Sequence, residues 1–147
     1  MSKKFSDLGI NEQIQQSLLD LNISEPTDIQ KKVIPIILNK TADVVALAKT
    51  GTGKTAAFGL PLLQLIDIKN NNIQAVILAP TRELGQQIHA NLASFAKFSP
   101  EISIAVICGG IPIKPQIERL KETTHIVVAT PGRLADLVSR EAINIKN

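Results

Sequence analysis

The sequence predicts an α/β fold, a doubly wound parallel β-sheet flanked by helices on both faces. Three observations predict it. After an initial pair of helices, apolar runs and helical patterns alternate four times along the chain. The runs are continuous in Val, Ile, Leu and Ala instead of alternating with polar residues, which means burial on both faces. The segments that follow them, AKTGTGKT (48–55), PTREL (80–84), GG (109–110) and TPGR (130–133), are rich in Gly, Pro, Thr and Arg. In such sheets ligands bind beyond the carboxyl ends of the strands, so these four junctions are expected along one rim.

The elements follow in order. Residues 10–21 (INEQIQQSLLDL) place apolar side chains at helical spacing. Residues 27–38 (TDIQKKVIPIIL) predict a second helix, with Thr27 as N-cap and Pro35 kinking or shortening it. Residues 43–48 (DVVALA) predict a short buried strand, and 53–66 a helix despite Pro61. Then come a strand over 73–79, a long helix over 82–98, a strand over 102–108 and a helix over 114–122. A strand over 125–129 and a helix over 132–140 close the series. The expected organisation is an N-terminal helical region, 1–40, and a core, 41–147. No internal repeat or low-complexity linker breaks it.

Composition narrows the function classes. A chain of 147 residues is one domain or part of a larger one, long enough to bury a core. Its 44% apolar and 20% charged content is ordinary for a soluble globular fold. No apolar run reaches membrane-spanning length, and residues 1–13 lack the apolar stretch of a signal peptide, so no membrane partner is expected. The single cysteine, Cys108, excludes a disulfide framework and points to a cytoplasmic setting. A net charge of +3 permits a polyanionic partner without demanding one. There are four Phe and no Trp or Tyr. Stacking on single-stranded bases needs aromatic platforms, so any nucleic acid is expected to be held by its backbone. His89 reads as a surface residue in mid-helix and His125 as structural. Cys108 reads as a buried small hydrophobe, and Phe58, Phe95 and Phe98 as packing residues.

AKTGTGKT carries the most chemistry. A Gly-rich turn between a strand and a helix aims several backbone N–H groups at one spot, and the helix adds the positive end of its dipole. Gly51 and Gly53 allow the tight turn. Lys54 can reach the β- and γ-phosphates, and the Thr55 hydroxyl can ligate Mg²⁺. The phosphate-loop pattern G-x-x-x-x-G-K-[ST] is met except at its first position, where Ala48 stands. Hydrolysis also needs an acid at a strand end to hold the metal and order the water. The strands run instead into Pro80-Thr81, Gly109-Gly110 and Thr130-Pro131, and Asp67 follows a helix and reads as solvated. The residues therefore predict nucleotide binding without turnover. That describes either a binding module or an N-terminal piece of a longer enzyme, and the closing residues EAINIKN favour the second.

Other junction residues are weaker one by one. Gln30, in SEPTDIQ, has the donor and acceptor that match the N6 and N7 edge of adenine. Arg82 sits at a helix N-terminus, where an anion is favoured. Gly109 and Gly110 allow close approach of a phosphate backbone, and Arg133 stands at a strand-to-helix junction. Together the set is specific. In order and rough spacing, Phe5, PTDIQ (26–30), AKTGTGKT, PTREL, GG and TPGR resemble the first RecA-like domain of the DEAD-box RNA helicases, over essentially the whole chain.

The resemblance implies a RecA-like P-loop NTPase fold, ATP and Mg²⁺ as cofactors, and RNA as partner. By it, Phe5, Ile23, Thr27 and Gln30 would surround adenine, with Gln30 giving ATP selectivity. Ala48, Lys49, Thr50, Gly51, Thr52, Gly53, Lys54 and Thr55 would hold the phosphates. Lys54 and Thr55 would be the catalytic pair, with Thr55 on the metal. Pro80, Thr81, Arg82, Gly109, Gly110, Thr130, Pro131, Gly132 and Arg133 would grip the backbone of one RNA strand with little sequence preference. Asn22 and Ile23 stand where the family has a glycine and an aromatic, which weakens stacking, and Gly85 stands where Ala is common. The Asp-Glu-Ala-Asp box, the Ser-Ala-Thr motif and the second RecA-like domain, a further expected partner, are not within these residues. The expected function is the ATP- and RNA-binding portion of an RNA helicase, inactive in hydrolysis by itself. A stand-alone nucleotide-binding, RNA-tethering module stays open, as does a P-loop kinase or GTPase that makes no use of PTREL or TPGR.

Overall fold

The computed structural model describes residues 3–146, which divide into two compact units. The first holds the residues up to Leu65 together with Asn91–Pro100. The second holds Ile66–Ala90 and the residues from Glu101 onward.

The first unit is helical. A short 3-10 turn, Ser6–Leu8, precedes α1, Glu12–Asp20. Asn11 caps α1, its Oδ1 accepting from Ile14 N–H at 3.0 Å. Helix α2 spans Asp28–Asn39 with Thr27 as N-cap, and it runs through Pro35 without being shortened. Helix α3, Lys54–Leu65, likewise runs through Pro61. The α2 and α3 faces pack together, burying Ile34 and Leu60 completely. A buried side chain of that size contributes about 1.5–3 kcal/mol over leaving it exposed. Gly59 brings α3 close to the end of helix α4, where a Cβ would lie 2.7 Å from Leu92 Cδ2. Gln64 fastens the far end of α3, accepting from Asn11 N–H and donating to Gly9 O, both at 2.8 Å.

The expected strand over 43–48 does not form. Those residues pair in no ladder, and Val45 and Leu47 are each 91% exposed. An apolar run signals that a segment should be buried, but its partners must supply both the ladder and the cover. Among the described residues none does.

The second unit holds the sheet: β1 (Ala75–Leu78), β2 (Ile104–Ile107) and β3 (Ile126–Ala129), in the order β1-β3-β2 and all parallel. In register, Ala75 and Ile104 both face Ile126, and Leu78 and Ile107 both face Ala129. Parallel neighbours need crossovers, supplied by α4 (Arg82–Phe95) and α5 (Ile113–Leu120); α6 (Pro131–Ser139) follows β3. Helix α4 starts in this unit and ends in the first.

Central β3 is wholly buried, as its apolar run predicts. Val127 and Ala129 pack with Leu137 of α6, with Ile113 and Ile117 of α5 against them. Val128 points the other way, toward Gly85 of α4 and the Cys108 thiol. Helices thus cover both faces. Edge strand β1 departs from the expected double burial, since Val76 and Leu78 are 38% and 56% exposed. A strand with one neighbour has less to cover it.

Two minor expectations also change, and a third holds. His89 is half-buried, with its Nε2 at 3.2 Å from Ile104 O, not a plain surface residue. Phe98 is 40% exposed, lying against the Lys97 ammonium and not in the packing. His125 is structural as expected: 2% exposed, its Nδ1 accepts from Ser103 N–H at 3.0 Å.

Candidate nucleotide and nucleic-acid sites

In the first unit, the sequence around Gly53 ends in a helix whose first N–H groups have no intrahelical acceptor. Gly51 and Gly53 adopt φ +80° and +84°, turning the chain into α3. Thr52 Oγ1 donates to Lys49 O at 2.6 Å and closes the turn. Lys54 is exposed, its Nζ donating to Ala48 O at 2.7 Å. That bond brings the ammonium back to the first residue of the loop. Thr55 stands in the first turn of α3, half-buried.

Gln30 is 3% exposed and works at both ends. Its Oε1 accepts from Thr27 N–H at 3.0 Å, half of a capping box on α2, and its Nε2 donates to Gly53 O at 3.1 Å. One side chain thus joins the start of α2 to the phosphate-type loop. Beside it lies a cleft of about 390 Å³ lined by Thr27, Asp28, Ile29, Lys32, Leu47, Ala48 and Thr52. That volume falls within the range of small-molecule sites. Asp28, Ile29, Lys32 and Leu47 were not legible as site residues. They flank the motifs without matching them. Phe5 is 4% exposed, inside the core, and Ile23 is half-buried.

In the second unit, three junctions meet at the carboxyl end of the parallel sheet. Pro80, Thr81 and Arg82 follow β1, Gly109 and Gly110 follow β2, and Thr130, Pro131, Gly132 and Arg133 follow β3. Thr81 Oγ1 accepts from Leu84 N–H at 3.2 Å, capping α4. Thr130 Oγ1 accepts from Gly109 N–H at 3.0 Å. Arg82 Nη1 donates to Gly110 O at 3.4 Å, and Arg133 Nη2 to Ile111 O at 3.0 Å. Pro80, Thr81, Gly110, Pro131 and Gly132 are exposed. Glu83 is a carboxylate beside this cluster; its own backbone N–H, and then Arg82, hold its carboxyl below the usual range. Burial pushes the Cys108 thiol up, so it is poor in thiolate.

Residues 27–147 match the family described as DEAD/DEAH box helicase. The chain belongs to that family. A probable ATP-dependent RNA helicase of Methanocaldococcus jannaschii is 45% identical over 97% of this chain. The ATP-dependent RNA helicase CshA of Listeria monocytogenes is 43% identical over the same share. The chain spans 38% and 27% of those two proteins. Among solved structures, a DEAD box protein from the hyperthermophile Methanococcus jannaschii superposes with a TM-score of 0.91 at 42% identity, covering all of this chain and 40% of that one. The S. cerevisiae protein Dbp5, bound to RNA and ADP BeF3, gives 0.86 at 28% identity, covering 97% of this chain and 36% of that one. This DEAD-box chain therefore has the RecA-like α/β fold, and the loop with Lys54 and the TPGR junction belong to that family's domain.

Among the described residues no helix is long and apolar enough to cross a membrane. No group of three or more His, Cys, Asp or Glu that could hold a metal ion occurs among them either.

Proposed function

We propose that this chain is the ATP- and RNA-binding first RecA-like domain of a cytoplasmic DEAD-box RNA helicase, and that it does not hydrolyse ATP by itself. The carrying observation is the loop from Ala48 to Thr55, turned by two left-handed glycines into the N-terminus of α3 with Lys54 bonded back to Ala48 O. Helix N–H groups and an ammonium converging on one spot favour a polyphosphate.

The donor set fits MgATP. Backbone N–H groups and Lys54 would hold the phosphates, and Thr55 would offer one hydroxyl to Mg²⁺. The metal neutralises phosphate charge when bound. Among the described residues no cluster of carboxylates stands ready for it, and it would arrive with the nucleotide. Gln30 uses one N–H and one lone pair inside the chain, leaving one of each for an adenine edge. The cleft beside it would take the base, with Thr27 on its wall; Ile23 and the buried Phe5 lie outside that lining. Arg82, Arg133 and the exposed Gly110 and Gly132 would hold an RNA backbone. In the parent protein, a second RecA-like domain would complete both sites and the hydrolytic machinery, allowing local unwinding of RNA.

Thermal unfolding with ATP, GTP or UTP and Mg²⁺ tests the nucleotide reading. ATP should raise the melting temperature more than GTP or UTP; equal stabilisation by GTP would count against Gln30 as an adenine reader. Phosphate release with and without RNA should stay at background. RNA-stimulated ATP hydrolysis by these 147 residues would overturn the inactive reading.

A further inference from the structure

We infer that Gln116 is a positioning residue for the RNA-gripping junctions. It lies on α5, is 6% exposed and makes two hydrogen bonds of opposite sense. Its Nε2 donates to Cys108 O at 3.0 Å, and its Oε1 accepts from Arg133 Nη1 at 2.8 Å. The orientation of the carboxamide is fixed by chemistry, because a carbonyl can only accept and a guanidinium can only donate. Arg133 then reaches Ile111 O with Nη2. Thus Cys108 O is held by Gln116, Gly109 N–H by Thr130, Gly110 O by Arg82 and Ile111 O by Arg133.

Four successive residues of one loop are gripped by side chains from three other elements. Gln116 alone among the four gripping residues is both buried and without charge or exposed surface to offer a phosphate. Its contribution to RNA binding is made through Arg133 and the loop. A carboxamide on a two-methylene stem supplies a neutral donor and a neutral acceptor at once. Glu keeps the acceptor for Arg133 and loses the donor. Met keeps the shape and loses both.

The inference rests on the RNA reading above, so its test has one arm with RNA and one without. Binding of a labelled oligouridylate is measured by anisotropy over a salt series for the wild-type chain, Gln116→Met, Gln116→Glu, Arg133→Met and the double Met variant. Amide exchange over 108–111 and thermal unfolding are measured alongside. Gln116→Met should bind about tenfold more weakly. Its salt slope should fall by about 0.7, the signature of one lost single-strand phosphate contact. Gln116→Glu should keep the wild-type slope, and the double variant should bind no worse than Arg133→Met. Exchange over 108–111 should quicken in Gln116→Met while the remaining sheet stays protected. Wild-type affinity and slope in Gln116→Met, or additive losses in the double variant, would overturn the inference. If the wild-type chain binds no RNA, the RNA reading fails. Exchange then decides the positioning role: a loop as protected in Gln116→Met as in wild type overturns it, and a selectively loosened loop supports it.

Discussion

Replacing Gly53 by alanine separates two demands on the phosphate-type loop. Gly53 sits at φ +84°, and a Cβ there would run into Gln30 Nε2. Holding an L-residue in the left-handed region costs about 1–2 kcal/mol. Breaking the Gln30 Nε2 to Gly53 O hydrogen bond adds about 0.5–1.5 kcal/mol. Gly51, at φ +80°, has nothing within 4 Å of a Cβ, so Gly51→Ala bears the strain alone. If these costs fall on the nucleotide-competent loop, apparent affinity drops with the competent fraction. At 1.4 kcal/mol per tenfold, Gly53→Ala should weaken a fluorescent ATP analogue roughly 10- to 300-fold and Gly51→Ala roughly 5- to 30-fold. Urea unfolding without nucleotide reads the Gln30 clash apart from any phosphate contact. There, Gln30→Ala should cost less in the Gly53→Ala background than in wild type, by about 1 kcal/mol. Equal losses for the two glycine variants, or a Gln30→Ala cost independent of residue 53, would refute the idea that Gln30 braces the loop.

Two further outcomes are expected. Gly85→Ala should gain about 1 kcal/mol of helix propensity. Its Cβ would lie 3.0 Å from Cys108 Sγ, with overpacking of about 1–3 kcal/mol set against that gain. Urea unfolding should find it neutral to destabilising alone, and less so in a Cys108→Ala background. Strict additivity would dismiss the contact. In the first unit, the hydrogen bond from Lys97 at 2.6 Å holds the Asp20 carboxyl below the usual carboxylate range. A depressed folded value stabilises above the unfolded one, near pH 3.9, and that stability is lost as pH falls through the folded value. Melting temperatures measured downward from about pH 5 should therefore fall less steeply for Asp20→Asn than for wild type. Parallel acid limbs would show that the pair contributes nothing.

Most helices and three of the four strands were legible because a local cause sufficed. Asn11 caps α1 and Thr27 caps α2, and Ile126–Ala129 is apolar enough to be buried on both faces. Where the outcome depended on partners, local reading failed. DVVALA shares the Val- and Ala-rich apolar character of β3, yet among the described residues no strand pairs with it. Val76 and Leu78 belong to an apolar run but lie on an edge. Of the candidate sites, the Gly-rich loop and the arginines were visible because their residue types are chemically unusual at such junctions. Gln116 was not, because a glutamine in a charged helix such as KPQIERLKE looks solvated until Cys108 O and Arg133 are brought to it. The lining residues Ile29 and Leu47 carry no chemical mark at all; shape alone assigns them.

The motif residues also commit polar groups to bonds within the chain, which limits what they can offer a ligand. Thr81 and Thr130 each use the hydroxyl oxygen as an acceptor, for Leu84 N–H and Gly109 N–H. Each therefore retains an O–H to donate, the sense a phosphate oxygen requires. Arg82 and Arg133 each place guanidinium N–H groups on loop carbonyls and hold others in reserve. The loop they grip is thereby fixed before any partner arrives, so less ordering would be charged against binding. On the reading proposed above, each threonine would serve structure with one face of its hydroxyl and a ligand with the other. Valine could fill the space of threonine, but it could neither cap the neighbouring amide nor meet a phosphate.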